Sequence, residues 1–232
     1  MKTKLSTRLR TGLGMWLGLV LAGAFASAAF GISVYSNDFS TKAEYEQIVR
    51  SGGGKSCERR YRAKQNTMLV SVKKGGITCS FRVPVQGDSE LPNHAVGVES
   101  RILASTPKAM RKGAFVEVTL RAGGGGTGYT LRIFPARKKF ELIRGPAGGG
   151  EFPVRGRNTA IKGIDERNNI SLTARGARIT ASVNRKELVT VEDNDPGQVT
   201  GRKVRIAVGS RKKASKPVAA LINSVGVGVP TN

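Results

Sequence analysis

Histidine is almost missing from this 232-residue chain. His94 is the single one, so the sequence holds neither a histidine-built metal site nor a His-centred acid–base pair. It lies in LPNHAVG, where no Ser–His–Asp arrangement suggests itself. Aromatics amount to 6% with one tryptophan, little for the base-stacking platforms of a single-strand nucleic-acid binder. Cys57 and Cys79 are the only cysteines, and no C-x-x-C spacing marks a redox-active pair. GGGGTGY, from Gly123 to Tyr129, has no Lys-Ser/Thr after it and so is not a phosphate loop. Acids are scarce too, 16 against 39 lysines and arginines, for a net charge of +23.

Charge-free apolar sequence is concentrated at the N-terminus. MKTKLSTRLR carries Lys2, Lys4, Arg8 and Arg10 without an acid, and the following 25 residues, TGLGMWLGLVLAGAFASAAFGISVY, have no charge. A basic start, an apolar middle and the small run Ala26-Ser27-Ala28 predict a secretory signal cleaved near Ala28. The same run exceeds the roughly 20 residues that span a bilayer, so an uncleaved hydrophobic helix is the alternative. Either way the basic end stays inside and the rest is exported. Residues 1–35 are thus expected to be a signal peptide or membrane anchor, and 36–232 one secreted or envelope-tethered domain. An even cysteine count in an exported domain predicts a Cys57–Cys79 disulfide, with two buried thiols as the alternative.

The remainder reads as strands. HAVGVESRIL, AFVEVTLRAG, YTLRIF, KKFELIRG, NISLTARG, RITASVN, KELVTVED, RKVRIAVG and LINSVGVGV alternate apolar with polar residues. Period-2 alternation in many short runs, broken by Gly, Asn and Pro, predicts an all-β antiparallel sandwich. One short helix is expected in TKAEYEQIVR, with Ser40 as N-cap. Gly52–Gly54, Gly123–Gly126 and Gly148–Gly150 read as hairpin loops. No repeat of 20–50 residues divides the chain.

Alternation also assigns faces. Val116, Val118 and Leu120 point to one side with Glu117, Thr119 and Arg121 on the other; Tyr129, Leu131 and Ile133 oppose Thr130 and Arg132; Ile170, Leu172 and Ala174 oppose Ser171, Thr173 and Arg175. With Glu99 and Arg101 patterned alike, one polar sheet face carrying Glu99, Arg101, Glu117, Arg121, Arg132 and Arg175 is expected. Such a face suits sugar hydroxyls, which donate and accept in several directions. Two of its carboxylates could instead serve glycosidic acid–base chemistry, for which Glu99, Glu117 and Glu141 are the candidates. A solvated face with weak Glu–Arg cross-strand pairs is the plain alternative.

YTLRIFPARKKFELIRG, the stretch NNISLTARGARITASVNRKELVTVED from Asn168 to Asp193, and GRKVRIAVG resemble the concanavalin A-like jelly-roll domains. The likeness is to the laminin-G-like and 3-keto-disaccharide-hydrolase-like kind. The pattern is matched through Asn169, Ile170, Leu172, Gly176, Ile179, Val183, Asn184, Leu188 and Asp193. The resemblance implies a jelly roll in which residues 168–193 form a hairpin pair, with Asn184 and Gly176 serving turns. Glucanases of this fold carry E-x-D-x-x-E on one strand, and no such cluster occurs here. Asp193, Asn194 and Asp195 in VEDNDPG make a weak calcium candidate, short of the six to eight oxygens required. Asn37 and Asp38 beside Asn223, at a position similar to the calcium site of some laminin-G-like domains, make a weaker one. Asn169-Ile170-Ser171 fits the N-glycosylation pattern.

Four basic residues and no acids precede Tyr35, so the remainder carries +19. A basic exported surface implies an anionic partner, whether acidic polysaccharide, phosphate-bearing wall polymer or anionic lipid. The expectation is therefore an envelope binding module for carbohydrate, with Arg101, Arg121, Arg132 and Arg175 as ligand-binding candidates and no required cofactor. A glycoside hydrolase and a structural or adhesive domain are the alternatives.

Overall fold

The computed structural model describes residues 32–85, 93–123, 127–145, 154–193, 201–213 and 216–230. Of the expected signal or anchor, residues 1–35, all but the last four lie outside the described part, as does Asp195. The described residues form fifteen strands. The first eight are β1 (Ile32–Asn37), β2 (Val49–Arg50), β3 (Cys57–Arg62), β4 (Thr67–Val72), β5 (Thr78–Val83), β6 (Asn93–Ile102), β7 (Ala114–Ala122) and β8 (Tyr129–Phe134). They are followed by β9 (Lys139–Arg144), β10 (Val154–Arg157), β11 (Asn168–Arg175), β12 (Arg178–Val183), β13 (Lys186–Glu192), β14 (Lys203–Ser210) and β15 (Val218–Val229). The first sheet has eight strands, in the order β13-β12-β11-β6-β15-β4-β3, with β1 also on β15. The second has seven, in the order β10-β9-β8-β7-β14-β5-β2.

Every neighbouring pair is antiparallel. The period-2 pattern explains the layering. Val96, Val98, Ile170, Leu172, Ile179 and Ala181 of the first sheet meet Val116, Val118, Leu131, Ile133, Ile206 and Val208 of the second in one core. At about 25 cal/mol per Å² of apolar area removed from water, this interior is the dominant favourable contribution to the fold.

Local chemistry sets the ends. Helix α1 (Lys42–Gln47) starts at Thr41, not at Ser40. The Thr41 hydroxyl accepts from the Glu44 amide while the Glu44 carboxylate accepts from the Thr41 amide, a reciprocal cap. Ser40 instead donates its hydroxyl to Glu44 Oε2 at 2.8 Å. Residues 168–193 form a three-stranded meander, one strand more than a hairpin pair. Its second turn holds Asn184 and Arg185 at φ +50° and +67°, a conformation that Asn tolerates. The Asn184 side chain also accepts from the Asn169 amide at 2.9 Å and donates to the Ala160 carbonyl at 2.7 Å. Gly52–Gly54 does not close a hairpin, because β2 belongs to the second sheet and β3 to the first. The sheet begins at Ile32, so cleavage near Ala28 would leave β1 whole, whereas a chain starting at residue 36 would lose most of it.

Cys57 and Cys79 form the expected disulfide, with Cα atoms 5.5 Å apart, tying β3 of one sheet to β5 of the other. Gly53 packs against it so closely that a Cβ there would come within 1.9 Å of Cys57 Sγ.

Candidate functional site

The six residues expected on one face are divided between two sheets. Glu99, Arg101 and Arg175 lie on β6 and β11 of the first sheet; Glu117, Arg121 and Arg132 lie on β7 and β8 of the second. Alternation within a strand fixes which residues share a side but not which strands share a sheet. On the first sheet Glu99 pairs with Arg167 at 3.1 Å, and Arg101 stands 3.9 Å from Asp165. Arg175 is exposed at the end of β11.

Arg121 is not on the polar face of its own sheet. A bulge opposite Lys203–Arg205 and a φ of +49° turn it toward the interior end of the sandwich. There it donates to the Gly176 carbonyl at 3.1 Å and lies 5.6 Å from the Tyr129 ring centroid. The same end holds a buried clasp between the sheets. Asp193 of the first sheet accepts from the Tyr129 hydroxyl at 2.5 Å and from Arg144 at 2.7 Å. Burial, and then Asp193 itself, raise the Tyr129 hydroxyl far above its usual range, which keeps it a donor. Both oxygens of Asp193 are thus engaged, one with a guanidinium. Among the described residues no group of three His, Cys, Asp or Glu side chains could hold a metal. Asn37, the other expected calcium ligand, is equally committed. Its amide donates to the Tyr35 hydroxyl and the Glu44 carbonyl, both at 2.7 Å, and its oxygen accepts from the Phe39 amide. Asp38 accepts from the Ser40 amide at 3.0 Å. Asn223 lies where β15 bulges, its buried oxygen without a hydrogen-bond partner.

His94 is buried at this end as well, its Nδ1 without a hydrogen-bond partner. Burial first, and Arg121 second, lower its pKa to about 4. The unfolded chain, with an ordinary value near about 6.5, takes up a proton below that pH that the folded chain refuses until about pH 4. Stability should therefore fall as pH drops through this window, by about 2–3 kcal/mol. Denaturant titrations of wild type and His94→Leu at pH 7 and pH 4 check this: the variant should lose that much less. Equal losses would show that His94 does not resist protonation.

The outward face of the second sheet is the candidate site. Cross-strand register aligns Ser80, Ala207, Glu117, Arg132, Glu141 and Arg155 in one row across five strands and onto β10. Val49, Arg82, Arg205, Thr119, Thr130 and Ile143 form the next row. The first row is an alternating charge network. Arg132 binds Glu117 through Nε at 2.8 Å and a terminal nitrogen at 2.7 Å, and reaches within 3.9 Å of Glu141. Glu141, fully buried, accepts from Arg211 at 2.9 and 2.5 Å and stands within 3.4 Å of Lys139 and 3.7 Å of Arg155. Glu117, Arg132 and Glu141 are buried rather than solvated, unlike the plain surface reading, while Arg155 and Arg211 at the rim of the network are exposed. In the second row the Thr119 and Thr130 hydroxyls meet at 2.9 Å. Beyond the charge row, Phe115 and Phe134 pack edge to face at 5.7 Å, with Arg132 over the first ring and Arg211 over the second. Gly209 makes room, since a Cβ there would strike the Phe115 ring at 2.5 Å.

Exposed side chains return at one corner. There Val49, Arg50, Ser51, Arg82, Lys203 and Arg205 line a cavity of about 270 Å³. None of these was singled out from the sequence. The signal was present in RKVRIAVG and TCSFRV, whose alternation puts Lys203, Arg205 and Arg82 opposite the core residues Val204, Ile206 and Phe81. Neither Glu99, on the other sheet, nor any residue of the clasp contributes.

No family model and no curated protein matches this chain. Solved structures do. A protein of unknown function with a galectin-like fold from Bacillus subtilis superposes with TM-score 0.60 at 13% identity, over 87% of this chain and 99% of that one. The Emp46p carbohydrate recognition domain gives 0.59 at 9%, over 86% and 97%. A β-1,3-1,4-glucanase, a lichenase derived from a mouse hindgut metagenome, gives 0.59 at 10%, over 84% and 98%. The chain has the concanavalin A-like β-sandwich fold, shared with galectin-like and glucanase structures.

Proposed function

We propose that this chain is a carbohydrate-binding module of the cell envelope, exported by its N-terminal segment, with its ligand on the outward face of the second sheet. The observation that carries the reading is the second row. Two hydroxyls in contact, Thr119 and the more deeply buried Thr130, 9% and 3% exposed, lie beside the ordered Glu117–Arg132–Glu141 network and next to an open cationic corner. Donors and acceptors held rigid by neighbouring strands recognise sugar hydroxyls without ordering them anew on binding. The likeness to a carbohydrate recognition domain and to a lichenase supports the ligand class. The basic, then apolar, N-terminus and the disulfide support export.

Retention on immobilised neutral and acidic polysaccharides, at low and at high salt, tests the proposal. Retention should survive high salt, yield to a soluble oligosaccharide, and fall at least about tenfold in Thr119→Val/Thr130→Val, which removes both hydroxyls at constant shape. Retention confined to acidic polymers and lost as salt rises would leave only the net charge as its cause.

A hydrolase is the second reading, because Glu117 and Glu141 reach one guanidinium from opposite sides. A general acid must reach the leaving-group oxygen, whereas both carboxylate oxygens of Glu141 are held by Arg211, with Arg132, Lys139 and Arg155 around them. Glu117→Gln separates the two readings. It would abolish turnover in a hydrolase and leave most retention intact in a binder.

A further inference from the structure

We infer that the corner cavity between β2, β5 and β14 is a subsite for the anionic group of an acidic sugar, a carboxylate or sulfate carried on a single ring; this rests on the carbohydrate reading above. Among the described residues its lining contains four cations, Arg50, Arg82, Lys203 and Arg205, and no acid. The contrast with the neighbouring row is the argument. There each arginine that points outward meets a carboxylate, Arg132 on Glu117 and Arg155 toward Glu141. In the corner, Arg82 and Arg205 are direct cross-strand partners. Like charges placed opposite each other destabilise a sheet, and a bound anion would relieve that cost.

The cations are also partly preset. Arg50 is held by the Gly54 and Cys57 carbonyls, each at 3.1 Å, and Arg205 donates to the Gly123 carbonyl at 3.4 Å. Arg82 and Lys203 are exposed and able to close on a ligand. Guanidinium forks match the paired oxygens of carboxylate and sulfate. At about 270 Å³ the cavity lies just below the roughly 300–1,000 Å³ of drug-sized pockets, which limits it to about one ring. Val49, 50% exposed at the rim, offers that ring an apolar edge, and Ser51 a hydroxyl. Arg205 stands next to Thr119 in the row.

Affinity electrophoresis of the full chain through pectate, alginate and hyaluronan, each against its carboxyl-reduced form at fixed ionic strength, tests this. At least one acidic polymer should retard the protein about tenfold more strongly than its reduced form, or sulfated dextran more strongly than dextran. In Arg82→Gln/Lys203→Gln, both at exposed positions, that preference should vanish. Equal retardation by acidic and reduced polymers would overturn the inference and leave the carbohydrate reading standing. So would a preference that survives in the double variant. Free inorganic sulfate abolishing the preference at concentrations equimolar with sugar would overturn the sugar part, since the cavity would then take bare anions. No retention on any polysaccharide would overturn the carbohydrate reading itself.

Discussion

Replacing Asp193 by alanine should be among the most damaging single substitutions in this protein, costing about 3–5 kcal/mol and lowering Tm by roughly 10 °C. Asp193 is 1% exposed and joins the first sheet to Tyr129 and Arg144 of the second. Tyr129 and Arg144 are register partners on adjacent strands, so one carboxylate satisfies both. Its removal takes this carboxylate from a buried guanidinium, and breaking a buried ion pair from one side costs more than the pair had contributed. A second substitution sharpens the test. In the Asp193→Ala background, Arg144→Met should recover part of the loss, because the uncompensated charge disappears with it. Additive losses would show that the ion pair is not what Asp193 supplies. Calcium added to wild type should leave Tm unchanged; a rise of several degrees, absent in Asp193→Ala, would restore a chelating role.

Removing the disulfide comes next. Cys57→Ala/Cys79→Ala closes no loop, and the chain-entropy account assigns a bridge over 22 residues roughly 3 kcal/mol. For a domain of this size that is about 6–12 °C in Tm, to be read by calorimetry with and without reductant. The bridge spans the two sheets where β2 contributes only two residues to the edge, so local opening should begin there. Hydrogen exchange in Val49–Arg50 and Cys57–Arg62 should rise before exchange in β11 or β12 does. Equal Tm with and without the bridge would mean that the core alone fixes this corner.

Much of the architecture is legible residue by residue. NISLTARG and RITASVN alternate so regularly that β11 and β12 bury Ile170, Leu172, Ala174, Ile179, Ala181 and Val183 and turn their polar residues away. The short β2, by contrast, carries too few residues for a period, and CERRYR in β3 shows too little alternation. The candidate site was half legible. Glu117, Thr119, Thr130 and Arg132 read correctly as neighbours on one side, because β7 and β8 are joined by a short glycine-rich connection and pair directly. Glu99, Arg101 and Arg175 were drawn into the same face, because alternation carries no record of sheet membership. Arg121 was misplaced for a local reason: a bulge breaks the period of two at that residue.

The sequence by itself determined the class of fold, the disulfide and, where alternation is regular, the side of a strand that faces the core. Those depend on short-range periodicity and on a cysteine pair that has no other partner. Tertiary structure alone decided that Asp193 holds two sheets together, that Glu141 collects four basic neighbours, and that Arg82, Lys203 and Arg205 converge on one cavity. Asp193 follows a strand of one sheet and meets two strands of the other, and Arg82 is far in the chain from Lys203 and Arg205. The crossing of β14 between β5 and β7 brings Lys203 and Arg205 beside Arg82.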